Sequence, residues 1–503
     1  MWTTTTGLRG KKLHLAITFT SVVVRQGIPP LDGTSEHVSV LQGAVTACYE
    51  LGCFFGAIFT LMFGQKTGRT PILVAGGALM ILGTVISTAS FGPQWGLGQF
   101  VIGRVISGLG NGMDTATIPV WQSECSKAHN RGFLVCFEGA IIAVGTFIAY
   151  WIDFGLSYVD SSVQWRFPVA FQILFAILVT IGGIMLPESP RWFVMQGHDE
   201  QAIEVLAALN DSTVESEDVL ADYNMMKADL KSLEGVQASS WKVLFTGGKS
   251  QNFQRMMIGC SGQFFQQFTG CNAAIYYSTL LFKNNLHMTG KLPLVLGGVF
   301  ATVYALATIP SFFMIEKVGR RNLFLIGFLE CQGCRRRYLL VHLLLRLYYA
   351  PSPLDLPPEI NPLRTRTKAA SASTCMNWIT NFAVVMFTPV FSSQSDWGIY
   401  LFFALVNFIA IPFAWFFYAE TAGRDLEEVD IIFAKAHIEK KWPYKVAQQL
   451  PKLTVEQITQ MQAELGLDST DDLRRASEAE KAETALSSGD SDSNTNNHTK
   501  HNE

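Results

Sequence analysis

Gly64-Gln65-Lys66-Thr67-Gly68-Arg69 and, about half a chain later, Glu316-Lys317-Val318-Gly319-Arg320-Arg321 carry one signal twice: a polar turn with glycine and arginine, set between two long apolar stretches. Stretches close to the ~20 residues that cross a bilayer core recur over 39–63, 71–91, 97–121, 133–152, 167–186, 254–282, 292–315, 374–392 and 398–418. A Gly-kinked, Arg-bearing turn at the same place in each half predicts a duplicated membrane carrier. The expected class is an all-α polytopic membrane protein built from two helix bundles.

Composition agrees, since 49% of residues are hydrophobic and only 16% are charged, against about a quarter in soluble domains. Two further bands fit less well. Residues 13–24 are apolar but short and end at Arg25, while 322–349 is broken by Cys331-Gln332-Gly333-Cys334-Arg335-Arg336-Arg337. Each arginine at a helix centre costs about 2.5–3.5 kcal/mol on insertion scales. No short apolar core ending in a small-residue cleavage site marks a signal peptide, so the first span is expected to start insertion.

Basic residues in short loops set the orientation. Arg9, Lys11, Lys12, Lys66, Arg69, Lys127, Arg131, Arg191, Lys317, Arg320, Arg321, Arg364, Arg366 and Lys368 fall on one face if spans alternate, and the opposite loops hold few. Both termini are therefore expected in the cytoplasm. The organisation reads as an N-terminus over 1–12, a first bundle over 13–192, a cytoplasmic helical loop over 193–252, a second bundle over 253–420 with an aberrant 329–356, and a tail over 421–503. From about residue 465 the tail is rich in Ser, Asp, Glu, Asn and Lys and is expected to be disordered.

Enzyme chemistry finds no foothold. Most of the nine cysteines lie singly in apolar spans, and the Cys331/Cys334 pair has no second pair to complete a zinc site. Gly248-Lys249-Ser250 lacks the first glycine of a phosphate loop, and neither HExxH nor GxSxG occurs. No cofactor, metal or nucleic-acid partner is expected. The glycines of 103–112, with small residues at 108 and 112, suit close helix packing in lipid.

Charges repeat as the turns do. Glu124 precedes Arg131 by seven residues, as Glu359 precedes Arg366; Glu188 and Arg191 close the first half, as Glu420 and Arg424 close the second. With Arg69 and Arg320 they form either solvated loop charge or a cytoplasmic gate. In the gate reading they bridge the bundles when the carrier faces outward and part when it opens inward.

With these residues in place, the chain resembles the sugar porter family of the major facilitator superfamily, its fungal members in particular, over roughly residues 10–435. The resemblance rests on Gly64 to Arg69, Gly103-Arg104, Pro119 to Glu124, Arg131-Gly132, Pro187 to Trp192, Gln266 to Asn272, Gly319 to Arg321, Pro358-Glu359-Ile360, Asn377-Trp378 and Glu420 to Asp430. Residues 138–155 also look like the branch containing glycerol/proton symporters and lactose-permease-like proteins. The resemblance implies a major facilitator fold of two six-helix bundles, nominally twelve spans, with spans one, nine and ten truncated or aberrant here. It implies a carrier in the plasma membrane whose partners are a sugar or polyol, a proton and the bilayer.

Polyhydroxyl substrates need neutral amides that both donate and accept, and aromatic faces for the apolar side of a sugar ring. Gln266, Gln267 and Asn272 supply amides on the seventh span; by regular helical spacing 266 and 272 flank the face shared by 267 and 271, so all can converge only if the helix distorts. Pure interhelical bonding is the other reading of these amides. Asn377 and Trp378 match the family's further amide and aromatic positions, and Tyr276 and Tyr277 stand as gate or packing aromatics.

Proton-coupled relatives pair a first-span Asp with the fourth-span arginine, here Arg104. This chain reads Val24-Arg25-Gln26-Gly27 there, which leaves Glu50, Asp114 and Glu138 as intramembrane acids, with Glu50 the first substitute partner of Arg104. The relatives' fifth-span glutamine falls at Gly139.

Spacing exposes a second departure. Gly68 to Glu124 is 56 residues and Gly319 to Glu359 is 40, a shortfall of 16, whereas two crossings and a turn need about 45. Pro351-Ser352-Pro353-Leu354 puts Leu354 at the relatives' sugar-stacking tryptophan. A faulty reading frame between about 329 and 356, and another near 24–38, is the expected cause, with a real but degenerate paralogue as the alternative. The expected function is sugar or polyol transport by alternating access with proton symport; a non-transporting nutrient receptor, or an inactive product of a faulty frame, is the alternative.

Overall fold

The computed structural model describes residues 36–90, 96–125, 128–234, 244–245, 250–285, 291–318, 321, 325, 360–362, 365–395, 397–421, 424, 426–453 and 455–465. The apolar band 13–24, residues 24–27, the stretch 329–356, Arg320, Glu359 and the tail beyond 465 lie outside them, as do the side chains of Arg131 and Glu138.

The described residues are helical and without strands. In the first half run α1 (Glu36–Thr67), α2 (Arg69–Thr88), α3 (Gly96–Cys125), α4 (Ala128–Leu156) and α5 (Val163–Met185); α6 (Pro190–Met195), α7 (Asp199–Leu209) and α8 (Glu217–Glu234) follow in the connecting loop. The second half holds α9 (Asn252–Phe268), α10 (Cys271–Asn285), α11 (Leu292–Val318), α12 (Arg366–Gln394) and α13 (Gly398–Phe417), followed by α14 (Leu426–Ile438), α15 (Pro443–Gln449) and α16 (Val455–Leu465).

Six described helices are long and apolar enough to cross a membrane: α1, α2, α4, α5, α12 and α13. Three of the nine apolar stretches fall short of that measure, for different reasons. The run of α3 is diluted by Gly, Asn and Asp, and the stretch 254–282 is cut in two at Thr269-Gly270. That of α11 is described in its side chains only over Leu292–Thr308, a run too short for that measure.

Lipid tails give helices no hydrophobic reason to associate, so close backbone packing must do it. The seam of α1 with α3 shows how. A Cβ on Gly108 would lie 2.3 Å from the Tyr49 carbonyl oxygen and one on Gly112 2.0 Å from that of Cys53, while Gly52 and Gly56 meet the Val105 and Leu109 carbonyls at 2.4 and 2.1 Å in return. Backbone rests on backbone there, with no side chain free to yield. Around this seam α2 packs on α3 and α5.

The halves meet along two further seams, α1 with α12 and α4 with α11. On the first, Gly43 faces the Met386 carbonyl. On the second, Gly297 and Gly298 leave room for the rings of Tyr150 and Trp151, whose indole Nε1 donates to Thr302 Oγ1 at 3.0 Å. Replacing Gly56 with Val should destabilise the protein by about 1–3 kcal/mol, the usual cost of overpacking. A lowered unfolding temperature in detergent checks this, and an unchanged one would show that α1 and α3 can separate freely.

Candidate functional site

A break in the seventh span builds the site. At Gly270 φ is +83°, and a Cβ there would meet the Phe403 ring at 2.7 Å, so conformation and space both demand glycine. The chain stops as α9 and restarts as α10. Gln267 and Asn272, which a continuous helix would point about 140° apart, thereby meet: Asn272 Nδ2 donates to Gln267 Oε1 at 2.6 Å.

From α12, Asn377 Nδ2 donates to Gln263 Oε1 and, at 3.3 Å, to Gln266 Oε1, while Asn381 Oδ1 accepts from Asn272 Nδ2 at 3.3 Å. Three helices of the second half, α9, α10 and α12, thus present two bonded groups of amides, Gln263, Gln266 and Asn377 in one and Gln267, Asn272 and Asn381 in the other. Gln263, Gln267 and Asn381 are buried, whereas Gln266, Asn272 and Asn377 keep accessible surface. Gln263 and Asn381 escaped the sequence reading, although each lies one helical repeat from an amide it named, at 267 minus four and 377 plus four.

The aromatics line the same seam. Trp378 Nε1 donates to Thr115 Oγ1 of α3 at 3.3 Å, joining the two halves. Tyr276 and Tyr277 are buried with Tyr49, Phe300 and Val385. Tyr277 sits at a non-helical kink inside α10 and donates its hydroxyl to the Val385 carbonyl at 3.0 Å. Tyr150 of α4 donates to the Ile275 carbonyl and lies 2.8 Å from Ser278 Oγ, holding α10 from the other side.

Across the seam stand Glu50 and Arg104, both buried. They lie within electrostatic reach of each other, and the guanidinium covers the Tyr49 ring at 4.2 Å from its centroid. Asp114 is elsewhere: neither carboxylate oxygen accepts a hydrogen bond, and it abuts Gly76 of α2 inside the first bundle.

At the helix ends beside it the repeated turn gains a physical meaning. Gly68 has φ +92°, and a Cβ on it would lie 2.6 Å from Glu188 Oε2. That oxygen accepts from the Arg69 and Thr70 amides at 2.8 and 2.9 Å and from Thr70 Oγ1 at 2.7 Å, capping α2 with negative charge. The buried Arg69 guanidinium takes Glu124 at both oxygens, 3.1 and 2.9 Å. In the second half Glu420 Oε2 accepts from the Arg321 amide at 3.2 Å, and the Arg321 guanidinium donates to the Trp415 carbonyl at 3.0 Å between the rings of Trp415 and Tyr444.

Arg424 donates to Glu428 at 3.4 Å and to the carbonyls of Ala447 and Leu450, each at 2.7 Å; Arg366 donates to the Asn361 carbonyl at 3.3 Å, and Arg191 is half-buried on α6. Arg255, not singled out in the sequence, is buried and pairs with Asp430 under the Phe433 ring. Every contact named in this layer joins residues of one half. Glu188 and Glu420 are thus engaged at helix ends of their own half.

The sequence pattern of the family described as Sugar (and other) transporter matches residues 13–345 and 336–433. The chain belongs to the sugar porter family of the major facilitator superfamily. Among sugar porters and their kin, the major facilitator superfamily transporter mfsA of Aspergillus fumigatus is 55% identical, over 97% of this chain and 98% of that one. Sugar transporter STL1 of Saccharomyces cerevisiae is 51% identical, over 84% and 78%. The solved proton:xylose symporter XylE bound to 6-bromo-6-deoxy-D-glucose matches with a TM-score of 0.71 at 22% identity, over 85% of this chain and 98% of that one. The inward open conformation of the xylose transporter XylE from E. coli matches at 0.62. These structures fix the all-α, two-bundle fold, and the chain is a multi-pass membrane transporter rather than an enzyme.

The two matched segments overlap at 336–345, inside the stretch whose length falls short. The Aspergillus alignment runs over 534 positions, more than the 503 residues here, so that relative carries residues without a counterpart in this chain.

Replacing Gly270 with Ala would force a side chain into a left-handed backbone against Phe403, a strain of about 1–3 kcal/mol. Reduced transport at normal membrane insertion is expected; wild-type uptake kinetics would show that the break in the seventh span is unimportant to the site.

Proposed function

We propose that this carrier moves a sugar or polyol across the plasma membrane by alternating access, in symport with a proton, with both termini in the cytoplasm. The observation that carries the reading is the run of amides on α9, α10 and α12, facing a buried acid and arginine on α1 and α3. Amides placed so can donate to and accept from several hydroxyls at once, which suits a neutral polyol and no charged substrate. Gln266, Asn272 and Asn377 are the accessible members, with Gln267 behind them; Trp378 and Tyr276 supply apolar faces, and Tyr277 braces α10.

Glu50 is the proton acceptor in this reading, and Arg104 the cation that moderates it. An acid buried in hydrocarbon is stable neutral, or charged beside a cation, so gain and loss of a proton can follow the carrier's turnover. The names of the compared proteins agree with the chemistry, since one is a proton:xylose symporter and another a sugar transporter. Arg69, Glu124, Glu188, Arg321, Glu420 and Arg424 fasten helix ends within each half, so the cytoplasmic gate works as two firm rims moving apart.

Uptake of labelled glucose, lactose and glycerol in transporter-deficient cells tests the proposal. Saturable uptake of at least one, suppressed by a protonophore, is expected; saturable uptake indifferent to the protonophore would remove symport.

The overlapping family match favours a second reading, in which the chain is the inactive product of an interrupted frame over 329–356. Normal surface expression without uptake would support that reading or a receptor. Sequencing the transcript across codons 325–357 separates these two: additional in-frame codons are expected from the interrupted frame, and an unaltered transcript would exclude it.

A further inference from the structure

The lipid-facing side of α13 does not end with the helix. Leu401, Leu405, Phe408, Trp415 and Phe416 are exposed along one side of it. Its 20 residues rise about 30 Å, the thickness of a bilayer core, so Phe416 and Phe417 stand at a boundary of that core. There the chain returns. The Trp442 ring packs on Phe416 at 5.7 Å and edge-on to Phe417 at 5.3 Å, and stays 44% exposed. Tyr444 is held to the same helix through Arg321, whose guanidinium lies 5.0 Å from the rings of both Tyr444 and Trp415. The turn between α14 and α15 is thus fixed at the depth where tryptophan and tyrosine gather in membrane proteins.

That turn is positively charged. Between residues 435 and 445 four lysines, Lys435, Lys440, Lys441 and Lys445, meet one acid, Glu439, which Lys441 takes at 2.8 Å and Lys435 approaches at 3.8 Å. Lys440 and Lys445 are exposed and pair with no acid among the described residues. Lys440 also has φ +51°, just past α14, where the Lys441 amide donates back to the Ala436 carbonyl at 3.0 Å. Helix ends of this form usually hold glycine, which takes a left-handed φ without strain, so the backbone gives no reason for a lysine there. Its charge does. We propose that Lys440, Lys441 and Lys445, set around Trp442, bind the anionic headgroups of phospholipids in the leaflet where α13 ends. The indole extends the lipid-facing side of α13, while the ammonium groups reach the phosphates on flexible stems. Arg424 and Arg255 tie this segment to the second half, so the headgroups grip that half. Headgroup binding here depends on α13 spanning the bilayer and not on which substrate is carried.

Thermal unfolding of the full chain in neutral detergent micelles doped with phosphatidylserine or phosphatidylcholine tests this. A ligand that binds the folded state raises the unfolding temperature once its concentration passes the dissociation constant. Phosphatidylserine should raise it, phosphatidylcholine at the same mole fraction should not, and added salt should weaken the effect by screening. Lys440→Gln/Lys445→Gln should match the wild type in phosphatidylcholine and need about 30-fold more phosphatidylserine for the same rise, at about fivefold for each lysine near an anionic surface. Lys440→Arg/Lys445→Arg keeps the charges and should keep the response. An equal effect of the two lipids on the wild type, or a glutamine variant that follows the wild-type titration, would overturn the proposal. So would loss of the response in the arginine variant, which makes the lysines packing residues. Glycerophosphoserine, the headgroup without its chains, should give no rise; a rise equal to that with phosphatidylserine would mark a site for free anions and overturn the assignment to lipid.

Discussion

A polar side chain inside a bilayer must find its partner in the protein, because hydrocarbon offers none. That constraint orders this fold. Amides, acids and arginines can be carried across the membrane only where helices lie close enough to satisfy them, and the glycines of α1 and α3 create that closeness by letting backbone touch backbone. The polar seam at Glu50, Arg104, Asn272 and Asn381 therefore stands on apolar geometry.

The same reasoning explains what the sequence made legible. The repeated turn could be read because its parts are local: glycine at a left-handed φ, arginine beside it, acids at recognisable distances along the chain. The small residues at 108 and 112 were readable for a similar reason, since helical spacing alone puts them on one face. The amides were half legible. A regular helix scatters Gln266, Gln267 and Asn272, and only the break at Gly270, decided jointly by φ and by Phe403 on a distant helix, gathers them. No local pattern announces a contact with residue 403. Gln263 and Asn381, by contrast, follow from extending the amide positions by one helical repeat.

The charges beside the repeated turns teach a different lesson. Their positions repeat faithfully between the halves, and the repetition invited a reading as bridges between bundles. Repetition arises equally when each half solves the same local problem. Glu188 caps the start of α2 as Glu420 receives the amide of Arg321, and Arg69 is buried against Glu124 in its own half. Symmetry of sequence identifies equivalent tasks, and only contacts show whether a task is internal to a half or shared.

One feature of the tail carries further. Arg424 grips the carbonyls of Ala447 and Leu450, Glu428 receives the amide of Leu453, and Arg255 holds Asp430, so the chain from 426 to 453 is sewn to the underside of α9 and α13. The carboxyl-terminal segment is then a passenger of the second half alone. Any label or binding protein fastened to it rides that half through the transport cycle, and its separation from the loop helices α7 and α8 becomes a ruler for which side of the membrane the carrier faces.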